Sequence, residues 1–227
     1  MCVLKYMKVI FLEARSTNSI SPLLKDILKK LVNYKTVGIT STVQHIDQIK
    51  VLQEYLVRNG KKVVLAKGSR CVYPGQVLGC DPGAAKGAEA YLFIGSGNFH
   101  PIAIAAETQK PVFTADLISK KVSQISEQEV KKYLTQRIQR AHKVMDANKI
   151  GILVTTKRGQ SQLSAALILR KKLEKKGKKV FIFLGDTIDI NSLINFSEVE
   201  AWINTCCPRM AEDFPGRPIA NFSDLRV

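Results

Sequence analysis

Apolar and polar positions along the chain alternate between two rhythms, and the alternation occurs twice. The β-rich run Val37-Gly-Ile-Thr-Ser-Thr leads into an amphipathic stretch ending Leu56-Val-Arg-Asn-Gly60, followed by Lys61-Lys-Val-Val-Leu and Gly68. Later, Ile150-Gly-Ile-Leu-Val-Thr-Thr leads into a similar stretch ending Leu173-Glu-Lys-Lys-Gly177, followed by Lys178-Lys-Val-Phe-Ile-Phe-Leu and Gly185. Gly60 and Gly177 lie 117 residues apart, and so do Gly68 and Gly185. Short apolar runs predict strands, spacing of three to four predicts helices, and a glycine marks each helix stop. The likeness continues from Glu89-Ala-Tyr-Leu-Phe-Ile to Glu200-Ala-Trp-Ile-Asn-Thr, and from Pro111-Val-Phe-Thr-Ala-Asp-Leu to Pro218-Ile-Ala-Asn-Phe-Ser-Asp-Leu.

Such a chain is α/β: two repeated units, each a short parallel sheet of about four strands flanked by helices. The polar stretch from Ser126 to Lys149 carries Ile125, Val130, Tyr133, Leu134, Ile138 and Val144 at helical spacing and predicts a long joining helix. Met7 to Leu31 supplies one predicted strand and one helix, as a remnant of a third unit. The expected divisions are 1–34 for the remnant, 35–147 for the unit with Cys80, and 148–227 for the unit with Cys207.

At 227 residues the chain is long enough to bury a core, and 45% hydrophobic against 24% charged residues excludes intrinsic disorder. No apolar run is long enough to span a bilayer, and Val9 to Leu12 is too short for a signal peptide, so no membrane role and a cytoplasmic location are expected. Thirty-five Lys and Arg against nineteen Asp and Glu leave a formal charge of +16. That excess suits an RNA or translation-machinery partner, but the basic pairs are scattered near predicted helix ends without interleaved aromatics, so solvated helix faces explain them better. Five cysteines with no CxxC argue against a zinc ribbon.

Four segments fall where strands of a parallel sheet end, the place at which such sheets collect ligands. They are Gly75 to Asp81 with Cys80, Gly95-Ser96-Gly97 through His100, Thr155 to Gln160 with Arg158, and Asn204 to Arg209 with Cys207. Gly95-Ser-Gly lacks the third glycine of a dinucleotide fingerprint and predicts a tight turn with close backbone approach. Arg158 and Arg209 suit bidentate contact with a carboxylate or phosphate, and two loop thiols suit a thiophilic metal centre.

Gln76-Val-Leu-Gly-Cys80-Asp, Phe93-Ile-Gly-Ser-Gly-Asn-Phe-His100-Pro, Thr156-Lys-Arg-Gly-Gln160 and Asn204-Thr-Cys-Cys-Pro-Arg209 resemble, in order, the motifs of the diphthamide synthase family. The resemblance implies three similar α/β domains that each give one cysteine to a 4Fe–4S cluster. It implies cleavage of S-adenosylmethionine and transfer of its 3-amino-3-carboxypropyl group, as a radical, to a histidine of translation elongation factor 2. By the same resemblance Cys80 and Cys207 are cluster ligands. Gly95, Ser96, Gly97, His100, Arg158, Gln160 and Arg209 are candidates for the S-adenosylmethionine pocket, and no catalytic residue is assigned. Most of the family's first domain, with its cysteine, has no counterpart here. The expected remedies are a separate chain or a homodimer supplying the missing part, or Cys206, Cys2 or Cys71 as third ligand. The alternatives are a non-catalytic homologue or partner subunit, and a basic α/β protein binding RNA or the translation machinery.

Overall fold

A computed structural model describes residues 10, 12–157, 159–213 and 216–225. The chain divides into two compact units, Met1–Ser126 and Glu127–Val227.

The first unit begins with a helical turn, Ser21–Leu23, continuing into α1 (Leu24–Lys30). Then come β1 (Thr36–Ser41), α2 (Gln48–Arg58), β2 (Lys62–Val64), β3 (Ala90–Ile94), α3 (Phe99–Thr108), β4 (Val112–Asp116) and β5 (Lys121–Gln124). The sheet order is β2-β1-β3-β4-β5. The first four strands run parallel, as the alternation of strand and helix requires. The fifth is antiparallel to β4, a departure from the expected all-parallel sheet. Its cause is local: only Leu117 to Lys120 separate the two strands, too few residues for a parallel crossover. Lys120 turns that corner at a φ of 54°.

The strand expected between Met7 and Glu13 falls mostly outside the described residues, and Leu12 and Glu13 belong to no strand. The helix expected to end a separate remnant packs into the first unit's own core. Ile20, Leu23, Ile27 and Leu31 repeat at helical spacing and are buried with Val37, Ile39, Leu92 and Phe113 of the sheet.

The second unit holds α4 (Glu127–Asp146), β6 (Lys149–Thr155), α5 (Leu163–Glu174), β7 (Lys179–Gly185), β8 (Ala201–Asn204), the short α6 (Met210–Asp213) and β9 (Ile219–Asn221). Its sheet order is β7-β6-β8-β9, all parallel. The long helix expected as a joiner is part of this unit. Val144 lies in its core, and Arg137 on the same helix pairs with Asp224 in the closing turn Phe222–Asp224.

The sequence repeat is a repeat of contacts. The Glu89 carboxylate accepts from the backbone N–H of Lys35 and Thr36, at 2.7 and 3.1 Å, just where β1 begins. Glu200 does the same for Asn148 and Lys149 at the start of β6, at 2.7 and 3.2 Å. The backbone N–H groups hold both carboxyls below the usual carboxylate range. Lys61 Nζ donates to the carbonyls of Leu31, Val32 and Tyr34, and Lys178 Nζ to those of Met145 and Ala147. Each lysine thereby satisfies carbonyls in the segment leading out of a helix.

Candidate functional site

In both sheets the strand order reverses direction between the first and third strands in sequence, β1 and β3 in one unit and β6 and β8 in the other. Crossover helices leave in opposite directions on the two sides of such a point, opening a crevice beyond the carboxyl ends of those strands. All four motif segments arise at these crevices.

In the first unit the chain after β2 returns to the end of β1. Ser41 N–H donates to the Gly75 carbonyl at 2.8 Å, and Val77 N–H donates to the Ser41 carbonyl at 2.9 Å. Gly75 takes a φ of 77°, and a Cβ there would lie 2.6 Å from Ile49 and 3.0 Å from the Ile39 carbonyl, so only glycine fits this close approach. Leu78 and Asp81 then exchange both backbone hydrogen bonds, at 3.0 and 3.1 Å, which leaves Gly79 and Cys80 at the tip of a tight turn. The exposed Cys80 thiol has Arg70 Nη1 3.6 Å from its sulfur. Asp81 anchors the turn by accepting from Arg70 N–H at 2.7 Å, Gly83 N–H at 2.9 Å and Ser69 Oγ at 3.1 Å. Burial raises the Asp81 carboxyl's pKa, but these donors outweigh it and hold the group below its ordinary value.

The glycine loop leaves β3. Gly95 has a φ of 149° and Gly97 of 76°, both in the region that favours glycine. Ser96 Oγ donates to Asp116 at 2.9 Å, fixing the loop to the end of β4. His100 stacks on Phe93 with 5.5 Å between ring centres. A Cβ on Gly79 would lie 2.5 Å from the Phe99 ring, so the Cys80 turn rests on the first residue of α3. The Cys80 turn therefore lies beside the helix that the glycine loop leads into, but Cys80 lines one cleft, with Thr36, Glu89 and Tyr91, and Gly95 and Gly97 line another, with Asp116.

In the second unit Thr155 ends β6, and beyond it Gln160 N–H donates to the Lys157 carbonyl at 3.1 Å. Gln160 is exposed; Arg158 lies outside the described residues. From the end of β8, Asn204 organises the cysteine loop. Its side-chain Nδ2 donates to the Cys207 carbonyl at 2.8 Å and to Asn221 Oδ1 at 2.7 Å, while its Oδ1 accepts from Cys206 N–H at 2.9 Å. Asn221 Nδ2 donates in turn to the Pro208 carbonyl at 3.1 Å. Both asparagines are buried, and Cys207 and Arg209 are exposed.

The four described cysteines divide sharply. Cys80 and Cys207 are exposed, Cys71 is buried, and Cys206 is half-buried with its Sγ 3.5 Å from the Leu153 carbonyl. Burial pushes the Cys206 thiol up to about 11, and burial likewise raises that of Cys71. At pH 8 a thiol with a pKa near 11 is thiolate in roughly one molecule per thousand. Brief iodoacetamide treatment of the metal-free protein at that pH should therefore label Cys80 and Cys207 and spare Cys71 and Cys206, as read by peptide mass spectrometry. Equal labelling of Cys206 and Cys207 would contradict this division.

Three features were not given a role by the motifs alone. Arg70 is separated from Cys80 by ten residues, and Asn221 from Asn204 by seventeen; nothing in the local pattern links them. His45, in the turn Val43–His45 after β1, is buried with its Nδ1 unbonded among the described residues. Its ring lies 3.7 Å from where a Gly95 Cβ would stand, and burial lowers its pKa against the opposing pull of Asp116.

Comparison with known proteins gives the family and the fold. Residues 1–217 match the family model described as "Putative diphthamide synthesis protein". The chain belongs to the diphthamide synthesis family. A 2-(3-amino-3-carboxypropyl)histidine synthase of Pyrococcus horikoshii is 35% identical over 224 residues, 96% of this chain and 64% of the relative. One from Methanocaldococcus jannaschii is 33% identical over 176 residues, 74% of this chain and 51% of the relative. The crystal structure of Dph2 from Pyrococcus horikoshii with a 4Fe–4S cluster superposes with a TM-score of 0.84 at 33% identity, covering 92% of this chain and 62% of that one. The α/β architecture read from the sequence is therefore the family's fold, although the chain spans less than two thirds of these relatives' length. Among the described residues no helix is long and apolar enough to cross a membrane.

Proposed function

We propose that this diphthamide-family chain carries two of the thiolate ligands of a 4Fe–4S cluster in a 2-(3-amino-3-carboxypropyl)histidine synthase. The observation that carries the reading is the exposure of Cys80 and Cys207, each in a loop beyond a strand of its own sheet, while Cys71 is buried and Cys206 half-buried. The donor set fits an iron–sulfur cluster in kind and is incomplete in number. The resemblance gives such a cluster three cysteines, this chain offers two, and no group of three or more metal-binding side chains occurs among the described residues. The reading assigns the remaining thiol to a second polypeptide. When bound, the cluster supplies the cleavage of S-adenosylmethionine that releases the 3-amino-3-carboxypropyl group.

The chain's own residues then have distinct tasks. Gly95, Ser96 and Gly97 let the backbone approach S-adenosylmethionine closely, and Ser96 is steadied for this by Asp116. His100 gives a flat ring at the same crevice. Arg158 and Arg209 suit the ligand's carboxylate, with Gln160 as a neutral hydrogen-bonding partner. The acceptor is a histidine of elongation factor 2. The test is transfer of label from S-adenosylmethionine, carried in its aminocarboxypropyl carbons, to elongation factor 2 under anaerobic reducing conditions. Purification from the source cells with its bound partners should give transfer that the isolated chain lacks. A protein that holds iron yet transfers no label with its native partners would overturn the transferase reading. Full activity of the isolated chain would overturn the shared cluster.

A further inference from the structure

Arg70 and Cys80 are ten residues apart in the chain, and Asp81 brings them together. The Asp81 carboxylate lies between two glycines: a Cβ on Gly68 would stand 2.9 Å from both of its oxygens, and one on Gly83 would stand 2.6 Å from Oδ1. Glycine at these two positions lets the chain close around the carboxylate, which accepts from the Arg70 backbone N–H at 2.7 Å and from Ser69 Oγ at 3.1 Å. The segment before the Cys80 turn is thereby fixed against the turn itself. With its backbone held there, the Arg70 side chain reaches the sulfur, and Nη1 stands 3.6 Å from Cys80 Sγ. Among the described residues no carboxylate lies within ion-pairing distance of this guanidinium, although Arg15, Arg137 and Arg170 each hold one. Arg70 and Cys80 are both exposed, and both line an open cleft of roughly 730 Å³.

We infer that Arg70 is a positioning residue for the cluster: its guanidinium donates to the Cys80 sulfur and raises the potential at which the cluster accepts an electron. The inference rests on the reading of Cys80 as an iron ligand. A cysteine sulfur bound to iron keeps lone pairs that accept N–H donors, and such donors are among the levers that set the potential of an iron–sulfur centre. The sign follows from charge. Reduction adds one electron and makes or breaks no bond, so the reduced state carries one more negative charge beside a fixed cation, which favours it. A carboxylate partner on Arg70 would offset that charge, and none of the described carboxylates does so.

A redox titration with dithionite, followed by electron paramagnetic resonance, tests this on complexes purified anaerobically from the source cells with their bound partners. Arg70→Ala keeps the backbone N–H that Asp81 accepts, so the turn and the iron content should be unchanged. At a fixed potential the ratio of reduced to oxidised cluster should fall about tenfold, a midpoint about 59 mV more negative for one electron. Arg70→Lys keeps the charge but not the planar fork, and should lie within about threefold of the unaltered protein. Added salt should narrow the gap between the unaltered protein and Arg70→Ala, because an exposed charge is screened. An unchanged potential in Arg70→Ala with iron retained would overturn the inference and leave Cys80 a ligand. Loss of iron in Arg70→Ala would overturn it too, since Arg70 would then be holding the turn together. Absence of iron from the unaltered complexes would instead defeat the cluster reading, and this inference with it.

Discussion

Alanine at Cys80 or at Cys207 is expected to lower the iron bound per chain at least tenfold in anaerobically purified complexes, while alanine at Cys71 or Cys206 leaves it unchanged. The argument rests on placement. Cys80 stands at the tip of a two-residue turn, held from below by Leu78, Asp81 and the Phe99 ring, so removing its thiol takes away a ligand and no packing. Cys207 stands at the surface of a loop whose shape is set by Asn204 and Asn221, neither of which uses the sulfur. Both variants should therefore melt as the unaltered protein does, which separates loss of iron from loss of fold. Cys206 and Cys71 behave oppositely: their burial raises the cost of the thiolate that iron requires. Iron content and absorbance near about 410 nm report the cluster. Retention of iron in Cys207→Ala with loss in Cys206→Ala would exchange the roles of the two neighbours. Loss in neither would remove the cluster from this chain.

Much of the fold could be read from periodicity because each element depends on near neighbours. Gly60 and Gly177 take φ values of 76° and 81° after their helices, as a glycine stop demands, and the 117-residue repeat carries through to the matching tasks of Lys61 and Lys178. That Cys80, Gly95 and Cys207 fall in loops that follow strands could be read from the strand pattern alone. What periodicity does not carry is pairing across distance. The antiparallel β5 resembles any other short β-rich run until the four-residue turn before it is weighed. Asn204 stood inside a recognised motif, yet its work became visible only when β9 placed Asn221 beside it. Arg70 and His45 gave no signal, because their significance lies in residues that the chain reaches later.

The glycines inside β1 and β6 belong to the same class of hidden dependence, and they carry the largest stability effect. In sequence Gly38 and Gly151 look like weak points in their strands, since glycine gives up conformational freedom and packs nothing. In the fold each lies beneath an aromatic ring from the adjacent third strand. A Cβ on Gly151 would stand 2.4 Å from two atoms of the Trp202 ring and 3.1 Å from Phe183, and one on Gly38 would stand 2.4 Å from the Tyr91 ring. Trp202 has no exposed surface and is hemmed by Phe183 and Phe196, so it has nowhere to move. Gly151→Ala is expected to cost about 3 kcal/mol, the upper part of the usual overpacking range. That corresponds to a fall of roughly 12–24 °C in the melting temperature of the second unit, which spans Glu127–Val227. Shrinking the ring should offset the clash, so Gly151→Ala combined with Trp202→Leu should be more stable than the sum of the two single losses predicts. Calorimetry of the four proteins decides it. Strict additivity would mean that the strand glycine and the tryptophan do not share space, and the repeat of glycine under aromatic in the two sheets would then need another cause.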